Sequence, residues 1–242
     1  LLLMLFVSSN AQTTTYNSLL QKHVDKQGNV DYEGLKTDEA KLDMYMEYLA
    51  ATSPDKTWSV NKQKAFWINA YNAYTIHLVI NAMQIEKIES IKDIKKNGKT
   101  AWKIPFVKVG KKTYTLDYIE HEILRKTFSD PKVHFGINCA SASCPKLSNK
   151  AFTEENVEIE LTRLMKDFIN DTSKNKISHN EVEISLIFDW FHDDFTKNGS
   201  LIDFLNNYSK IKISPKAKIS FLKYIFGGLN SKPAAIHDII IW

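Results

Sequence analysis

The sequence predicts an α+β fold: a single compact domain with an N-terminal helical portion and a mostly antiparallel sheet flanked by helices. Long stretches carry apolar residues at helical spacing, around Leu19, Leu20 and Val24 and again from Phe66 to Ile80. Shorter stretches alternate like strands in hairpin-like pairs, as at Trp102 to Val109 and Lys112 to Tyr114 around Gly110. The two kinds of segment follow one another irregularly, without the rhythm of a doubly wound parallel sheet. Apolar residues make up 43% of the chain and aromatics 12%, the composition of a folded globular protein. The net charge of +4 arises from lysines interleaved with acids, so the basic stripe of a nucleic-acid binder is missing and no nucleic-acid partner is expected. Neither a glycine-rich nucleotide loop nor an internal repeat is present, and no cofactor is implied.

Residues 1–11 read as a secretory signal truncated at its start: an apolar run from Leu1 to Val7, then Ser9 and Ala11 placed as the small residues of a cleavage site. Export to a periplasmic or extracellular space is the expectation. That run is too short to cross a bilayer and no later segment is long and apolar enough, so the chain is not expected to span a membrane. Residues 12–56 are expected to form a helical extension packed on the domain, in two pieces separated by a turn at Gln27-Gly28-Asn29. Asp25 and Asp31 flank that turn, but the glycine is misplaced for a calcium loop and its twelfth position would be Lys36, so no calcium site is read there. Residues 57–230 form the core domain, and 231–242 an atypical tail.

Asn61 is the expected N-cap of the helix KQKAFWINAYNAYTIHLVINAM, which is apolar nearly all round and therefore central. Asn69 and Asn72 lie on one side of it. Buried amides need partners, so they either tie neighbouring loops to the core or line a site. Thr115 caps the next helix, LDYIEHEILRKTF, whose Leu116, Ile119 and Ile123 face inward. Glu120 lies about 40° from Leu116 around that helix, which carries a carboxylate against the core, with His121 at the edge of the same face. A strand is expected over Val133 to Cys139, a serine-rich loop through Pro145, and a helix from about Glu154 to Phe168. The alternation of Val182, Ile184, Leu186 and Phe188 predicts a strand running into Asp189-Trp190-Phe191-His192-Asp193-Asp194-Phe195, whose aromatics read as core and whose acids read as solvated or capping a loop. A short helix over Leu201 to Tyr208 and a last strand over Lys218 to Phe226 complete the chain.

The segment VHFGINCASASCP, from Val133 to Pro145, holds both cysteines and a histidine. Together with AFWINAYNAYTIH, SIKDI followed by Trp102, TLDYIEHEILR and IFDWFHDDF, it resembles the DUF547 family of exported bacterial and plant proteins, over roughly Leu19 to Tyr224. The resemblance implies no activity, since the family is named for lacking one. It implies that Cys139 is typical and that Cys144 is often serine in plant members, which favours Cys139 as the residue with a role. The chain departs from the family's usual ending at Tyr224-Ile225-Phe226.

A thiol nucleophile needs a base within hydrogen-bond reach and a group that orients the base. In an extended strand His134 would stand roughly 16 Å from Cys139 and on the opposite face. His121, on a helix able to fold back on that strand, is therefore the preferred base, with Glu120 or Asn69 assisting and Glu120 able to meet His134 or Asn69. Zinc held by the cysteines, His121 and His134 is disfavoured by the loose spacing of the thiols, and no metal site is assigned. Two readings stay open. One is a cysteine-dependent hydrolase or transferase acting on peptide-like or amide substrates. The other is a non-catalytic exported binding or scaffolding domain with a Cys139–Cys144 disulfide, its ligand an unknown small molecule or peptide.

Overall fold

Ser59, two residues before the expected Asn61, caps the long central helix of the protein. In the computed structural model, which describes residues 9–229, its side chain accepts the Lys62 backbone N–H at 3.1 Å. The 26-residue helix that follows, α4 (Val60–Ile85), is buried along most of its first five turns. The helices α1 (Ser9–His23), α2 (Tyr32–Thr37) and α3 (Glu39–Ala51) precede it, and Tyr16 of α1 stacks on Tyr45 of α3 with ring centroids 4.3 Å apart. The turn between α1 and α2 has Gly28 at φ +85°, where any Cβ would also strike Lys146, so glycine is required twice over. One apolar core runs from Tyr16 to Leu229 and joins the N-terminal helices to α4. The expected signal segment and tail lie largely or wholly outside the described residues.

Two small hairpins follow, β1 (Lys95–Lys96) with β2 (Lys99–Thr100) and β3 (Val107–Val109) with β4 (Lys112–Tyr114). The Thr115 hydroxyl caps α5, residues 116–128, by accepting Tyr118 N–H at 3.0 Å. Inside α5 the stretch Ile119–Arg125 is a π-helix. Widened turns of this kind are rare and are frequently found at functional sites. Asp130 and Pro131 then start a 3-10 helix, Pro131–Phe135, where the sequence suggested a strand. The apolar alternation there was short, and the backbone groups a strand neighbour would satisfy are taken by a side chain. Asn72 of α4 donates to Gly136 O at 2.8 Å and accepts Asn138 N–H at 2.9 Å. The neighbouring Gly136 is pressed between Ile68 and Leu161, leaving no room for a Cβ.

After α6 (Val157–Ile169) comes a three-stranded sheet in the order β5 (Lys176–Ile177), β6 (Glu181–Ser185), β7 (Lys218–Leu222). The β5 and β6 strands pair antiparallel, whereas β6 and β7 run parallel with Val182 opposite Ile219. The fold is α+β as the sequence predicts, with helices flanking small sheets in which antiparallel pairs predominate. The strand expected to continue through Phe191 ends at Ser185 instead. The aromatic segment turns into α7 (Ile187–Trp190) and α8 (His192–Phe195), single turns packed beneath the 3-10 helix, and α9 (Leu201–Asn206) follows. The last strand also stops early, at Leu222, and the chain crosses to the cysteine loop, where Ala142 N–H donates to Gly227 O at 2.9 Å. No described helix is long and apolar enough to cross a membrane.

Candidate functional site

Where the 3-10 helix, α5 and the C-terminal segment meet α4, a cavity of about 130 Å³ opens. Tyr71 reaches it from α4, Glu120 from the π-helical part of α5, and His134 from the 3-10 helix; Cys139 and Cys144 form one wall. Trp102, Trp190, Phe191, Tyr224 and Phe226 supply an aromatic surround. The two cysteines are joined in a disulfide, and neither is free. Cys139 is half-buried and Cys144 buried. Tyr224 places its hydroxyl 3.3 Å from the Cys139 sulfur and 3.2 Å from that of Cys144, within reach of donating to either. Cys144 also borders a second, wider groove of about 810 Å³, so the loop from Cys139 to Cys144 divides a small apolar chamber from a large polar one.

The carboxyl of Glu120 faces the chamber with the Tyr71 hydroxyl 3.3 Å away. Burial raises its pKa to about 7 against the lowering effect of Tyr71, since a charged carboxylate is poorly solvated there. Burial likewise pushes the Tyr71 and Tyr224 phenols upward, so both stay protonated as hydrogen-bond donors. His134 stacks on Phe191 with centroids 4.0 Å apart, and its Nε2 lies 2.8 Å from Asp194 Oδ2. The same oxygen accepts from Arg125 Nε at 2.7 Å. His134 and Arg125 hold Asp194 well below the usual carboxylate range, and burial drives the His134 pKa down. The pair is thus a neutral imidazole donating its Nε2–H to an ionised carboxylate, which leaves Nδ1 with a lone pair.

Sequence-derived candidates divide accordingly. Glu120, His134 and Cys139 share the chamber. His121, the preferred base, does not line it: its Nδ1 accepts from Arg125 at 3.0 Å and its ring lies toward Asp117, whereas His134 does line the chamber. A strand would have turned His134 away from Cys139, but the 3-10 helix Pro131–Phe135 carries its imidazole to the chamber that Cys139 also lines. Asn69 is also removed from the site. It donates to Phe152 O at 2.7 Å and accepts Phe152 N–H at 2.9 Å, the loop-tying role left open for it. Asp194 is the main residue missed. It stands in the segment whose acids read as solvated, and that holds for Asp189 and Asp193, which are exposed, but not for Asp194. Only its position beneath His134 could have revealed it. The Tyr71 and Tyr224 hydroxyls were also unforeseen.

No curated protein and no solved structure matches this chain. Residues 56–169 match a family described as "Protein of unknown function, DUF547". The match contains Tyr71, Glu120, His134 and both cysteines, and stops before Asp194 and Tyr224. Over this segment, a little under half of its length, the chain is similar to the DUF547 family.

Proposed function

We propose that this is an exported cysteine-dependent hydrolase or transferase acting on peptide-like or amide substrates, with Cys139 as nucleophile once its disulfide is opened. The observation that carries the reading is that Cys139, His134 and Glu120 face one chamber, with Asp194 behind His134. In the reduced protein, His134 Nδ1 takes the proton of the Cys139 thiol, and the imidazolium so formed is stabilised by Asp194. The thiolate adds to a substrate carbonyl, and His134 returns the proton to the leaving amine. Glu120, protonated below about pH 7, is a hydrogen-bond donor for the carbonyl oxygen. Export rests on the residue pattern of positions 1–11 alone.

The experiment is incubation of reduced protein with an activated ester, followed by intact-mass measurement. An acyl adduct lost in Cys139→Ala, and formed roughly 10²-fold more slowly in His134→Ala, supports the reading. Absence of any adduct on reduced protein rejects it. A second reading, a non-catalytic binding domain, is favoured by the disulfide itself, which occupies the nucleophile. It requires the reduced and oxidised proteins to bind ligands alike and to react with none.

A further inference from the structure

The disulfide wall of the chamber has features that a purely structural crosslink does not need. One cysteine is half-buried and the other buried, and both line the chamber. A phenol hydroxyl lies 3.2–3.3 Å from both sulfurs. The Cys139 N–H also points at the Cys144 sulfur, 3.0 Å away, and can stabilise negative charge on it. A carboxyl group lines the same cavity, in a setting with few other polar groups. Thiol–disulfide exchange asks for this set: a reachable sulfur to attack, a leaving sulfur with donors around it, and a proton source.

We propose that the Cys139–Cys144 pair undergoes thiol–disulfide exchange in the native fold, oxidising a dithiol substrate, with Tyr224 and Glu120 delivering the proton to the departing Cys144 sulfur. The substrate thiolate attacks the Cys139 sulfur and forms a mixed disulfide. The S–S bond breaks, and the Cys144 sulfur leaves with the bonding pair and takes the Tyr224 hydroxyl proton, which the Glu120 carboxyl replaces. The substrate's second thiol then gives its proton back to the Glu120 carboxylate and attacks its own sulfur in the mixed disulfide. Cys139 is released as a thiolate. Two electrons have passed from the substrate to the protein disulfide, and no other oxidant is required. The chamber has room for about four waters, so only the sulfur-bearing end of the substrate enters. This activity goes beyond acyl transfer and does not depend on it. It also supplies the reduced Cys139 that acyl transfer requires.

The groups facing Glu120 are Tyr71 from α4, Tyr224 from the C-terminal segment, His134 across the chamber, and Asp117 and Arg125 on its own helix. Burial raises the pKa of Glu120 to about 7 and lowers that of His134. The test uses the oxidised full chain and dithiothreitol under anaerobic conditions, with acid quenching, maleimide alkylation and intact mass as the readout. The expected result is gain of two maleimides with the circular dichroism unchanged. The rate constant, corrected for the thiolate fraction of dithiothreitol, should fall about tenfold as pH rises through about 7. That fall should vanish in Glu120→Gln, and Tyr224→Phe should slow the reaction at about pH 6 by roughly tenfold. Reduction only on unfolding, or pH profiles identical in wild type, Glu120→Gln and Tyr224→Phe, overturns the proposal. No acyl substrate is present, so either outcome leaves the acyl-transfer reading to its own experiment.

Discussion

Asp194 Oδ2 lies 2.8 Å from His134 Nε2, across 60 residues of sequence, and fixes which nitrogen of the imidazole carries the proton. Arg125 anchors the same oxygen at 2.7 Å. Replacing Asp194 by Asn keeps the shape but removes the charge that opposes Arg125 and holds the His134 tautomer. Its cost should be about 3 kcal/mol at neutral pH, near the lower end for breaking a buried pair. The folded-state pKa of Asp194 is depressed, so its stabilising contribution is present above the unfolded value of about 4 and is lost as pH falls below it. Urea unfolding of both proteins should therefore show a stability gap that narrows on acidification. A gap independent of pH would contradict the ionised pair.

Glu120 has the opposite sign. Its folded-state pKa is raised to about 7, so it destabilises the fold when ionised, and stability is lost as pH rises from its unfolded value to about 7, above which the loss is complete. Glu120→Gln should stabilise the protein above pH 8, by up to about 3 kcal/mol, and change little near pH 4. Thermal melts of the pair at the two pH values decide this; a variant less stable at both would show that the carboxylate is held by partners rather than strained by burial.

The two helical asparagines should separate by function although both are structural. Each satisfies a backbone N–H and a backbone C=O, so Asn69→Ala and Asn72→Ala should each cost about 1–3 kcal/mol for every buried group left unpaired. Only Asn72 holds the segment leading into Cys139. Asn72→Ala should therefore also alter the rate at which a thiol reductant opens the disulfide, measured by alkylation and mass, while Asn69→Ala leaves it unchanged.

Gly136 offers a test of packing at the base of the site. An added methyl would meet Leu161 at 2.5 Å and Ile68 at 3.3 Å, at a backbone φ of −91° that any residue accepts. Gly136→Ala should destabilise the fold by about 1–3 kcal/mol through overpacking alone. A companion Leu161→Val substitution should recover part of that loss in chemical denaturation; no recovery would place the constraint elsewhere.

What the sequence alone determined was whatever periodicity and composition can carry. The central helix, the inward turn of Glu120 and the α+β class follow from which residues recur at which spacing, and they hold in the structure. Short apolar alternation carried less. Val133 to Cys139 and Leu186 to Phe191 looked extended, yet both are shaped by tertiary partners: the Asn72 amide in the first case, the aromatic layer beneath His134 in the second. The imidazole that joins the site, its carboxylate and the phenol over the sulfurs were decided only by the tertiary structure. A hydrogen bond between residues 60 or 80 positions apart depends on how the intervening elements pack, and no local pattern in the chain encodes that distance.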